Sequence, residues 1–133
     1  MNTKQNHISY TYFVPAFLWA LLILVVCLVP PKYIPAVEFN LLSPDKIAHA
    51  MLFGFLCLLL NWALSKNNIL TYKNMFLLFA CTVGYGALIE LLQMIGRSGR
   101  MAEVDDILAN SFGAVMIYLI YIVYYRSLNR KTA

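Results

Sequence analysis

Four apolar segments, each about the twenty residues an α-helix needs to cross a bilayer, constrain this chain more than any other feature of its sequence. They run from about residue 10 to 29, 45 to 64, 75 to 95 and 104 to 125. Within lipid, only helices and closed barrels satisfy their backbone hydrogen bonds, and no segment alternates as a barrel strand does. The expected fold is an all-α integral membrane protein, an antiparallel bundle of four transmembrane helices joined by short loops. With 133 residues, 62% hydrophobic and 12% charged, the chain reads as one domain over 1–133, without internal repeats or low-complexity tracts.

The net charge of +4 is no sign of nucleic-acid binding, because the ten Lys and Arg are scattered through loops and tails rather than gathered in a stripe. They bear instead on topology and on attraction to anionic lipid. Lys4, Lys66, Lys73, Arg126, Arg130 and Lys131 fall on one side of the expected bundle, against Lys32, Lys46, Arg97 and Arg100 on the other. That bias places both termini on the cytoplasmic side. Tyr10, Tyr12, Trp62, Tyr121, Tyr124 and Tyr125 then form an aromatic belt on the same side. The first apolar run is too long for a signal peptide, lacks a small-x-small cleavage site and ends at Pro30-Pro31, so it reads as a retained span. Cys27, Cys57 and Cys81 lie in apolar runs without metal-ligand spacing and are expected to be buried thiols.

Local signals mark the helix starts and contacts. Ser43-Pro44-Asp45 is an N-terminal signature for the second span, with Asp45 favoured by the helix dipole, and Asp105-Asp106 opens the fourth. Ala80, Gly84 and Ala87 form a small-residue face on the third span, and Ala109 and Gly113 another on the fourth. Both faces suit close helix approach.

Against this apolar background, ionisable side chains at mid-membrane cost about 2.5–3.5 kcal/mol each, so their placement is informative. Asp45 and His49 stand one helical turn apart, and the carboxylate is expected to hydrogen-bond the ring and tune a proton relay. Glu90 and Gln93 share a face near the end of the third span, too deep for solvated ends, with Arg97 or Arg100 as the expected partner of Glu90. Asp106 and Asn110 repeat the four-residue spacing on the fourth span, whereas Asp105 points about 100° away and is expected to be solvated. Each pair alone has a structural explanation: a helix cap, a locking ion pair, an amide bridging two helices. The second span starts, the third ends and the fourth starts on one membrane face, however, so the three pairs converge on one level, where a single site is expected.

The site joins Asp45, Glu90 and Asp106 to Lys46, Arg97, Arg100 and one histidine. Arginine suits phosphate or carboxylate, and a His–Asp pair moves protons, so the inventory fits the head group of a membrane-embedded ligand. A metal site through His49 with Asp45, Asp106 or Glu90 is disfavoured by the single histidine and the absence of nearby cysteine; neither a metal nor another cofactor is expected. Ser98 and Ser111 lack a setting that would make either a nucleophile.

These residues resemble the pattern of the VanZ-like family of small bacterial membrane proteins. Its elements stand here as Asp45-Lys46-Ile47-Ala48-His49 with Phe53 following, Glu90 with Gln93, Gly99-Arg100, Glu103, Asp106, and Asn110-Ser111-Phe112-Gly113. The resemblance selects Arg100 over Arg97 as the functional arginine, although the Gly96–Arg100 loop offers both. The aromatic after the histidine is Phe53, which removes any hydroxyl role at that position. The resemblance implies a protein of the bacterial cytoplasmic membrane and cell envelope. It also implies a link to glycopeptide (teicoplanin) resistance, through the protein that gives the family its name.

Two functions follow. In the first, Arg100 and Arg97 hold an anionic lipid or lipid-linked envelope precursor at the outer face. Asp45 and His49 act there as a candidate proton relay, and Glu90, Gln93, Asp106 and Asn110 support them. In the second, the polar network is structural or docks a partner protein or a second copy, with no reaction. A transporter fits poorly, because the chain lacks broken helices, inverted repeats and midplane polar groups.

Overall fold

The computed structural model describes residues 8–28, 44–95 and 104–131. Four helices carry the described chain: α1 (Val14–Leu28), preceded by a 3-10 turn at Tyr10–Phe13, α2 (Pro44–Lys66), α3 (Tyr72–Ile95) and α4 (Val104–Lys131). All four are long and apolar enough to cross a membrane, α1 together with its preceding turn. The expected all-α four-helix membrane architecture is therefore the one observed. α4 continues past the expected end at residue 125, because hydrophobicity marks where a span leaves lipid and not where its helix stops. Its last turns carry Arg126 and Arg130, charges that a helix C-terminus favours.

The turn between α2 and α3 is built from local hydrogen bonds. Asn68 takes a left-handed φ of 55°, a conformation asparagine tolerates at a helix end. Thr71 caps α3, its Oγ1 accepting from the Asn74 N–H at 3.2 Å. Asn67 ties this end to the N-terminal segment: its Oδ1 accepts from the Ser9 N–H at 2.7 Å, while its Nδ2 donates to the Ala63 carbonyl at 2.9 Å. The expected aromatic cluster lies near this end, with Tyr12 on Trp62 and Tyr72 on Tyr125 in edge-to-face pairs at 5.8 and 4.9 Å.

α2 is the most buried helix and makes its largest contact with α4. The two run parallel and meet backbone to backbone. A Cβ on Gly113 would lie 1.9 Å from the Ala50 carbonyl oxygen, and one on Gly54 would lie 3.2 Å from the Gly113 oxygen. α1 lies on the other side, against α2 and α3, and makes no contact with α4 among the described residues. It is held by side chains that donate to main-chain carbonyls: Trp19 Nε1 to Leu52 at 2.9 Å, and Tyr85 OH to Ala20 at 2.7 Å. Ile23, Phe53, Leu56 and Ile89 form the core between these helices. The outer surface is covered with large apolar side chains such as Phe17, Val25, Phe76, Leu91, Leu119 and Val123, as lipid contact requires.

Two expectations about packing are corrected. Ala80, Gly84 and Ala87 face outward, and a Cβ on Gly84 would meet nothing within 4 Å. α3 instead buries a stripe through Met75, Thr82, Gly86, Ile89, Glu90 and Gln93. That stripe carries the polar side chains lipid would penalise, so it turns inward and the small apolar face turns out. Cys27 and Cys57 are buried as expected, but Cys81, on the outward face of α3, is exposed.

This packing separates two glycines by context. Gly113→Ala is expected to lose well over 2 kcal/mol of stability or to fail to fold, since it drives a methyl into rigid backbone. Gly84→Ala should be neutral or slightly stabilising through helix propensity. Thermal unfolding of both variants in detergent checks this.

Candidate functional site

The parallel crossing of α2 and α4 decides which polar residues meet. With Gly113 seated on Ala50, the preceding turns of α4 bring Asn110 and Asp106 against His49 on the first turns of α2. His49 Nδ1 lies 3.0 Å from Asn110 Oδ1. A carbonyl oxygen only accepts, so the ring donates from Nδ1. Nε2 faces two carboxylates, 3.9 Å from Asp45 Oδ1 and 3.9 Å from Asp106 Oδ2. Both separations exceed a hydrogen bond. The expected Asp45–His49 hydrogen bond is thus replaced by a bond to Asn110 from another helix. Asp45 lies at the mouth of the cluster with its side chain 52% exposed, above the buried His49 and Asp106.

Phe53, one turn beyond His49, forms the floor. Its ring is fully buried and lies parallel to the imidazole, with centroids 6.5 Å apart. Gly86 of α3 closes the inner wall, since a Cβ there would stand 3.1 Å from Asn110 Nδ2 and 3.3 Å from Phe53. Glu90 lies one helical turn from Gly86 on the same buried face, and Gln93 follows it. The Gln93 amide donates to the Cys27 carbonyl at 2.8 Å, joining α3 to the end of α1. Lys46 pairs with Asp105 at 2.7 Å. Asp105 is 67% exposed, the solvated member of its pair as expected.

The structure therefore brings Asp45, His49, Asp106 and Asn110 together and places Glu90 and Gln93 on the adjoining face of α3. Arg97 and Arg100, expected to hold the ligand and to pair with Glu90, lie outside the described residues, as do Ser43, Ser98 and Glu103. Several polar side chains that organise the bundle escaped the sequence reading. Tyr85 and Trp19 look like ordinary apolar-face aromatics until their polar tips find carbonyls. Asn61, fully buried in α2 with Nδ2 on the Cys57 carbonyl, lies twelve residues from His49, about 18 Å along the helix, and belongs to a different level. An asparagine inside an apolar run was the available signal.

The fold and the cluster define a class: a four-helix membrane protein with a buried histidine–carboxylate–amide site at one end of its bundle. The VanZ/LLP1 family model matches residues 7–125, and the chain belongs to that family. Comparisons with curated proteins and with solved structures found no match.

The His49–Asn110 bond is expected to couple α2 to α4. A double-mutant cycle of His49→Ala and Asn110→Ala, read by unfolding in detergent, should give about 0.5–2 kcal/mol of coupling, the range of interhelical hydrogen bonds in membranes. The exposed Lys46–Asp105 pair should give under about 1 kcal/mol in the same assay.

Proposed function

We propose that this protein binds the anionic head group of a membrane lipid or lipid-linked envelope precursor, at the outer face of the bacterial cytoplasmic membrane. The observation that carries this reading is the burial of His49, Asp106, Asn110, Glu90 and Gln93 near one end of an otherwise apolar bundle, with the half-exposed Asp45 as its opening. Groups so costly to bury in lipid are kept where they meet something polar. The Lys and Arg bias supports the outer placement, with both termini cytoplasmic. Arg100, with Arg97, is the proposed anchor for the head group, and Glu90 and Gln93 the supporting face. In a catalytic form, His49 exchanges a proton with the ligand, aided by Asp45 or Asp106. A link to glycopeptide (teicoplanin) resistance, where one exists, would run through the same head-group site.

A second reading has its own support. The His49–Asn110 and Gln93–Cys27 bonds each join two helices, which is what a non-enzymatic module for docking a partner protein, or a second copy, would need of its polar residues.

Native mass spectrometry of the detergent-purified protein separates these readings. Wild type is expected to retain a lipid or precursor that Arg100→Ala loses. Accumulation of intact ligand on His49→Ala alone, with a shortened product on wild type, would establish catalysis. The same nonspecific lipids on all three proteins would overturn the head-group reading and favour the docking module.

A further inference from the structure

We propose that Asp45, His49 and Asp106 form a binding site for a divalent transition-metal cation of the Mn²⁺ or Zn²⁺ kind. The sequence disfavoured a metal at His49 with Asp45, Asp106 or Glu90, because only one histidine was available and no cysteine lay near. In the structure, one ligand atom from each of the three residues lies within 4.8 Å of the others.

The orientation of His49 points to the occupant. Its Nδ1 donates to Asn110 Oδ1, so in the neutral ring Nε2 presents a lone pair. That lone pair, on a side chain only 4% exposed, faces Asp45 Oδ1 and Asp106 Oδ2 at 3.9 Å each. A divalent cation in that gap would take the lone pair and one oxygen of each carboxylate as ligands. A tetrahedral ion holding its ligands at about 2.1 Å would set them about 3.4 Å apart. The observed 3.9 Å to both carboxylates is somewhat wider than that spacing and is the same on the two sides.

The surroundings complete the argument. Asn110 fixes the ring and its tautomer, as the outer partner of a metal-bound histidine does. Asn110 is itself confined beside Gly86, where a Cβ would stand 3.2 Å from the asparagine Cβ. Asp45 gives the ion a route from the end of the bundle, because its side chain is half-exposed. Two carboxylate oxygens and one imidazole nitrogen suit Mn²⁺ or Zn²⁺ better than the softer or all-oxygen metals. Three protein ligands leave coordination positions open, as in sites that also take up a small ligand. The ion site needs no lipid and stands apart from the head-group reading. Where both hold, a phosphate oxygen would fill an open position.

The test uses the metal alone. Detergent-purified protein is stripped with a chelator, then titrated with Mn²⁺ followed by electron paramagnetic resonance and with Zn²⁺ followed by calorimetry. Wild type is expected to bind one ion per chain. His49→Gln, Asp106→Asn and Asp45→Asn should weaken it at least tenfold, and Asn110→Ala by about ten- to a hundredfold. Asp105→Asn, which changes the exposed acid beside the site, should bind as wild type does. If the buried variants fail to fold, Asp45→Asn at its half-exposed position carries the test. Absence of a saturable site, unchanged binding in Asp45→Asn and Asp106→Asn, or equal weakening by Asp105→Asn would overturn the ion site. The head-group reading would be untouched, because lipid retention is measured separately.

Discussion

The backbone contact between Gly113 and Ala50 is the constraint on which the rest of this molecule depends. Removing a side chain at that point lets α4 approach α2 closely enough for their main chains to touch. Everything polar at this end of the bundle follows from the approach. One turn before Gly113, the Asn110 side chain becomes short enough a reach to bond His49, and one turn before that Asp106 joins the same ring. A bulkier residue at position 113 would separate the helices and leave those groups facing lipid or one another's gaps. The close contact is therefore structural in origin and chemical in consequence.

Packing on the remaining helices obeys a second rule, which is the price of polarity in lipid. α3 has two candidate inner faces, one of small apolar residues and one carrying Thr82, Glu90 and Gln93. Interhelical packing alone would favour the first. Burying the second removes three polar groups from hydrocarbon, and that effect wins. The same economy of polar groups explains why α1, the most uniformly apolar helix, is fastened by its own carbonyls. It offers the Ala20 and Cys27 carbonyls as acceptors to the Tyr85 hydroxyl and the Gln93 amide.

The span count, the helix type and the approximate limits were legible because hydrophobic length is a property of contiguous residues. The pairing of Asp45 with His49 on one face was legible for the same reason, and the meeting of that pair with Asp106 and Asn110 needs only an up-and-down topology. What could not be read was which residue each ring nitrogen meets. Asn110 and Asp106 reach His49 through a parallel contact between helices separated in sequence by α3, and its register is set by Gly113 on Ala50. The sequence also offered two small-residue faces on different helices without ranking them. Gly113 and Gly84 look alike in the chain, yet one touches backbone and the other nothing.

The electrostatics of the cluster bear on its chemistry as a whole. Asp45, Asp106 and Glu90 bring three carboxyl groups to one end of the bundle, and Lys46 pairs there with Asp105. Carboxylates repel a phosphate or carboxylate head group wherever cations do not offset them, and in a partly dehydrated site the repulsion is stronger than in water. Two sources of positive charge are compatible with the chain. The Gly96–Arg100 loop contributes two guanidinium groups in sequence. The cation proposed for the gap in front of His49 Nε2, bounded by two carboxylate oxygens, would be the other source. An ion there would turn a histidine and two acids from a barrier into an attachment point for an anion. The arginines would then choose the head group and the ion would hold it. The roles are separable because Asp106 would be a ligand of the proposed ion and Arg100 would not. A ligand bound through both would lose affinity when either is removed, but only loss of Asp106 would release the metal.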